Sequence, residues 1–169
     1  MNHVLLLDCM GTLTQTRSGQ PFPENPQDLQ LIEGVIEAIA FFQGQGWTIL
    51  GVSNEGGIHH PKVQKSVESA KLEKVYTLQL LSGIQKIYFS DWTGEYCWSV
   101  ELNISENNSI QIIQTEYQRS DLINLKSRGQ SAYESFRKPG SGMLRLALLE
   151  LNFNPDEVWM IGDRPEDFN

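Results

Sequence analysis

Residues 8 to 14 read DCMGTLT and follow the apolar run VLLL at 4 to 7. A buried strand that ends on an aspartate puts a carboxylate where desolvation is costly unless a cation or hydrogen-bond donors meet it. Open α/β sheets collect ligands at the carboxyl ends of their strands, which makes Asp8 a candidate for ligand chemistry. Taken alone, Asp8 also suits a cap for the turn at Gly11. Three more segments look like strands: WTILGVSNEGG (47–57), IQKIYFSD (84–91) and DEVWMIGDRPED (156–167). The first ends its apolar run on Ser53 and Asn54, and the last stops at Gly162 and Asp163. The middle one is less clear and ends on Asp91. Strand, glycine and polar group recurring in this way predict strands that line up their carboxyl ends.

Helices fill the gaps. Residues 25–46 carry apolar side chains at 32, 35, 36, 39 and 42 and close on Gly44 and Gly46, which predicts a helix. Residues 61–83 predict a second, with Val67, Ala70, Val75, Leu78 and Leu81 near one side, and residues 141–152 a third. Alternating strand and helix imply an α/β fold, a parallel sheet with right-handed crossovers, flanked by helices. Residues 97–115 break the alternation. CWSVELNISENNSIQIIQT alternates apolar and polar residues on either side of SENNS, the pattern of a small β-hairpin insertion. The polar stretch 116–136 reads as a surface excursion near the site. With no repeat or linker, residues 1–169 are expected to form a single domain.

The formal net charge of -8 gives the chain as a whole no pull toward nucleic acid or anionic membrane. Its two cysteines, Cys9 and Cys97, build neither a disulfide framework nor a tetrahedral cysteine site, so a cytoplasmic location is expected. No run reaches membrane-spanning length, and no membrane partner is expected.

Four fragments, DCMGTLT, VSNEGG, FRKPGSGM and IGDRPED, resemble in order and spacing the four motifs of the haloacid-dehalogenase-like (HAD) superfamily, chiefly its phosphatases. SNEGGI and RKPGSGM look like the branch of polynucleotide 3'-phosphatases, histidinol-phosphatases and heptose-bisphosphate phosphatases. The resemblance runs from Asp8 to Asp167. It implies a Rossmann-like, HAD-type sheet and a reaction in which Asp8 attacks phosphorus and becomes an aspartyl-phosphate. It also implies Mg²⁺, held by Asp8, the backbone carbonyl of Met10 and Asp163, with Asp167 as a ligand or an outer partner. Ser53 and Asn54 match the phosphoryl-binding positions, and Lys138 matches the lysine that pairs with the nucleophile and the transferring group. Without a cation, carboxylates 8, 163 and 167 would repel one another. The fold so implied continues through a helix to a fifth core strand. The sequence through Asn169 supplies four: either it is cut short there or the sheet keeps an open edge, and dimerisation is left open.

Family phosphatases usually carry a second aspartate two residues after the nucleophile, as proton donor to the leaving group. Here that position is Met10, and a thioether does not act as a general acid; such losses typically cost about 10² to 10⁴ in rate. The first reading is therefore a slow Mg²⁺-dependent phosphatase or phosphotransferase acting on a small phosphorylated metabolite. Either Glu55 or His59 supplies protons, or the leaving group is good. The alternatives are an enzyme acting on nucleic-acid ends, or a phosphate-binding regulatory protein that has lost turnover. Lys126, Arg128, Arg137 and Lys138 form the only local basic cluster, too small to favour a polynucleotide. Arg137 is expected on the surface, the other reading being that it assists Lys138. Adjacent His59 and His60 are not expected to share a metal, and Cys97 alone predicts no zinc. Trp92, Tyr96 and Trp98 are expected to pack in the core or hairpin; the other use is stacking on a base or sugar.

Overall fold

The computed structural model describes residues 1–105, 109–120 and 135–167. Strands β1 (His3–Leu7), β4 (Trp47–Asn54), β5 (Lys86–Ser90) and β8 (Glu157–Ile161) run parallel, with β1 between β4 and β8. The hairpin β6 (Tyr96–Ile104) and β7 (Ile110–Gln118) continues this same sheet, pairing antiparallel with β5 to give the order β7-β6-β5-β4-β1-β8. The predicted hairpin is thus an extension of the sheet edge. Residues 121–134, which carry Lys126 and Arg128, lie outside the described residues.

The near-continuous apolar run of β1 is explained by burial on both faces. Leu5 and Leu7 point to a core shared with helices α1 (Val35–Gly44) and α2 (Val67–Leu80), while Val4 and Leu6 point to a second core under α3 (Gly142–Leu149). Ile49 and Ile87 join the first core, and Leu50, Val52 and Tyr88 the second, as a period of two requires. Asp8 donates its backbone N–H to the Ile161 carbonyl at 2.9 Å, which carries β1–β8 pairing one residue further and fixes where the aspartate emerges.

The helix expected over 25–46 begins only at Val35. Gly34 takes a left-handed φ of 85°, and Leu29–Leu31 forms β3, pairing antiparallel with β2 (Thr14–Thr16). This two-stranded ribbon is the root of a flap that carries Phe22 over the carboxyl edge of the sheet. Helix α2 starts later than the sequence pattern suggested, at Val67, after the N-cap Ser66, whose side chain accepts from the Ser69 amide.

Candidate active site

The carboxyl ends of β1, β4 and β8 and the segment before α3 open into a cleft of about 690 Å³, whose lining includes Asp8, Met10, Ser53, Asn54, Lys138 and Asp167. Lys138 is buried at its floor. Its ammonium donates to Asp8 Oδ1 at 2.6 Å, to Asp167 Oδ1, and to the Val52 carbonyl at 3.0 Å. Removing one partner of a buried pair commonly costs about 3 to 5 kcal/mol, so this lysine also holds the floor together. Burial raises the Asp8 carboxyl above its ordinary range; Lys138 pulls it down and Asp167 pushes it up further.

Two glycines permit the acids to approach. A β-carbon on Gly11, whose φ is 91°, would stand 2.3 Å from Asp163 Oδ2, and one on Gly162 would stand 2.1 Å from Asp167 Oδ2. The carboxylates occupy the space that a side chain would need, which is why DCMG and IGD need glycine there. Asp8, Asp163 and Asp167 then each offer an oxygen within 4.8 Å of one another. An all-carboxylate donor set suits a hard cation such as Mg²⁺, and the convergence of three acids, two of them buried, fits such an ion.

Asn54 is committed to placing Lys138. Its Nδ2 donates to the Lys138 carbonyl at 3.0 Å and its Oδ1 accepts the Lys138 amide at 2.9 Å, with the Ser90 hydroxyl on the same oxygen. Ser53 is buried at the cleft, with only a long 3.4 Å contact from its hydroxyl to Glu55. That leaves the hydroxyl weakly engaged.

Neither expected proton supplier is suitably placed. Glu55 is a buried carboxylate clasped by Lys65 at 2.8 Å and by Lys74, and Lys65 also holds Glu73 at 2.6 Å. Burial works to raise its pKa, but Lys74 and Lys65 outweigh that and bring it down to about 2. It therefore stays ionised across the physiological range. Because the folded value lies below the usual 4.5, Glu55 contributes stability above pH 4.5 that is lost as pH falls toward 2. Urea midpoints at neutral pH and at about pH 3 are expected to show this: Glu55→Gln is less stable at neutral pH, and the gap to the wild type shrinks in acid. His59 turns to Asp91, with Nδ1 2.9 Å from Oδ2, and is absent from the cleft lining.

Two corrections concern residues on the cleft wall. Arg137, expected on the surface, is half-buried in the cleft with its guanidinium 4.6 Å from the Trp92 ring centroid. Burial lowers its pKa, and its Nη1 is buried with no hydrogen-bond partner among the described residues. Trp92 leaves its neighbours: Tyr96 and Trp98 stack at 6.0 Å in and beside the core, while Trp92 is exposed at the cleft. Sequence reading did not single out His60 as a cleft residue and reached Phe22 only as part of a short flap, TQTRSGQPFPEN, expected to shape substrate choice. The apolar Phe22 between two prolines was the signal within that flap.

Strand-end acids around a buried lysine on a sheet of this order are the architecture of a HAD-superfamily phosphatase. A family profile described as Polynucleotide kinase 3 phosphatase matches residues 3–166, and the chain belongs to that family. Among solved structures, a HAD-like phosphatase from Mesorhizobium loti superposes with a TM-score of 0.57 at 18% identity, covering 98% of this chain and 65% of that one. The D,D-heptose 1,7-bisphosphate phosphatase from B. bronchiseptica, complexed with magnesium and phosphate, gives 0.58 at 16% identity, covering 99% and 73%. This chain thus spans about two thirds of the Mesorhizobium protein's length. No curated protein matches the sequence. Among the described residues no helix is long and apolar enough to cross a membrane.

Proposed function

We propose that this chain is a Mg²⁺-dependent phosphoryl-transfer enzyme that works slowly, through an aspartyl-phosphate on Asp8, on small phosphorylated molecules. The observation that carries the reading is the convergence of Asp8, Asp163 and Asp167 on one another, with Lys138 bonded to Asp8 and Asp167 at the cleft floor. Asp8, Asp163, Asp167 and the Met10 carbonyl would hold the ion, which when bound offsets the charge of an anion attacking an anion. A carboxylate oxygen of Asp8 forms the new bond to phosphorus as the ester P–O bond breaks and the alcohol oxygen departs with the electron pair. Lys138 stays beside Asp8 and balances charge on the transferring group. The Ser53 hydroxyl donates to a phosphoryl oxygen, and Asn54 keeps Lys138 in place.

None of the residues expected to serve the departing oxygen is placed to do so: Met10 is a thioether, Glu55 is held ionised and His59 faces Asp91. The leaving oxygen takes its proton from solvent, which favours substrates with good leaving groups, and water attacks the aspartyl-phosphate without a base. Incubation with acetyl phosphate or p-nitrophenyl phosphate and Mg²⁺ is expected to release phosphate and to leave a phosphoryl adduct on Asp8, detected by peptide mass spectrometry. EDTA should abolish both; neither adduct nor release from any activated phosphate would overturn the reading. The family's description favours one second reading, action on nucleic-acid ends. A 3'-phosphorylated oligonucleotide processed faster than its mononucleotide, with strong inhibition by salt, would establish it.

A further inference from the structure

We propose that the outer half of the cleft is a subsite for a planar ring carried by the phosphate ester, built on Trp92 with His60 and Phe22. This rests on the phosphoryl reading above and names the class of alcohol the site takes: ring-bearing monoesters, of which nucleotides and aryl phosphates are the two sources. Trp92 is 43% exposed and Phe22 65%, and both line the same cleft as Asp8 and Lys138. Single exposed apolar side chains are ordinary, but exposed aromatic side chains lining the same cleft as a phosphoryl-binding floor offer a binding surface.

The Trp92 platform is held before any ligand arrives. Its backbone N–H donates to the Ile58 carbonyl at 3.0 Å. The Arg137 guanidinium backs the indole at 4.6 Å, and the His60 ring meets it edge-on at 4.5 Å and 74°. His60 is fixed in turn: its Nδ1 accepts the amides of Lys62 and Val63, each at 3.0 Å. Two donors on Nδ1 assign the ring proton to Nε2, leaving an N–H that can donate to a heteroatom of a bound ring. Phe22 arrives on the flap between Pro21 and Pro23 and adds a second aromatic surface to the cleft. A rigid indole costs little to order on binding, so a stacked ring keeps most of its contact energy.

The test compares ligands that differ only in the ring. With Mg²⁺ present, adenosine 5'-monophosphate is expected to bind about tenfold tighter than ribose 5-phosphate, read by tryptophan fluorescence and thermal shift. Phenylphosphonate against methylphosphonate asks the same of an aryl source. Trp92→Ala should reduce these ratios to about one, and Trp92→Phe should keep part of the gain, which a fold defect would not do. Equal affinity for the members of both pairs in the wild type, or ratios untouched by Trp92→Ala, would overturn the subsite while leaving phosphate binding intact. If inorganic phosphate and all four ligands fail to bind with Mg²⁺, the phosphoryl reading falls, and the subsite with it.

Discussion

Asp8→Asn is expected to abolish phosphoryl transfer, a loss of roughly 10⁴-fold or more, while leaving the fold standing. The amide lacks the charged oxygen that attacks phosphorus, so neither phosphate release nor the adduct on residue 8 should be seen. Stability should behave differently. In the free protein burial raises the Asp8 carboxyl; Lys138 outweighs the smaller repulsion from Asp167 but does not offset the burial. A group whose folded pKa is raised loses stability as pH climbs from its unfolded pKa toward the folded one, and remains a burden above that. Asparagine removes this burden, and Lys138 keeps Asp167 and the Val52 carbonyl as partners. Without metal, the variant should therefore melt close to the wild type, with its advantage or deficit shifting in its favour as pH rises above 4. The melting shift produced by Mg²⁺ should shrink sharply, because binding to the native state alone is what stabilises it. Wild-type turnover in Asp8→Asn would move the nucleophile elsewhere.

That experiment probes residues whose positions were legible in the sequence. The β1 run announces a strand buried on both faces, and Asp8 follows it at the sheet edge where ligands gather. Ser53, Lys138, Asp163 and Asp167 came from motif order; their convergence depended on β4 and β8 both pairing with β1. Other features had no local signal. The start of α1 was misplaced because Leu29–Leu31 pairs with Thr14–Thr16, a contact that helical periodicity does not register. Arg137 and Trp92 lie 45 residues apart, and nothing in either neighbourhood tells that the guanidinium will lie on the indole. Likewise the clasp on Glu55 draws Lys65 from a loop and Lys74 from α2. A glutamate after SN reads equally well as a free acid, and only its partners decide that it is not one.

Met10→Asp is expected to raise turnover by about 10² to 10⁴ on esters with poor leaving groups, the usual worth of general acid assistance. The site can receive the change. Met10 is half-buried in the cleft lining, so a carboxylate there keeps solvent contact instead of being sealed in the core. Its backbone is fixed by the bridge to Thr14 and by the Gly11 amide donating to the Thr14 carbonyl at 2.8 Å, bonds that do not involve the side chain. The gain should depend on the substrate. An alkyl phosphate needs a proton on its departing oxygen and should improve most; p-nitrophenyl phosphate, whose oxyanion leaves unaided, should improve least in the first step. The aspartyl-phosphate should also become shorter-lived, since the same carboxylate can accept a proton from attacking water. Rates on both esters, with the adduct followed by mass spectrometry, distinguish these effects. A uniform gain on all esters would point to better metal binding, because an acid discriminates between leaving groups and a stronger cation site does so far less. If no ester gains and no adduct forms, the defect lies beyond residue 10, and a protein that binds phosphate without turning it over becomes the better description.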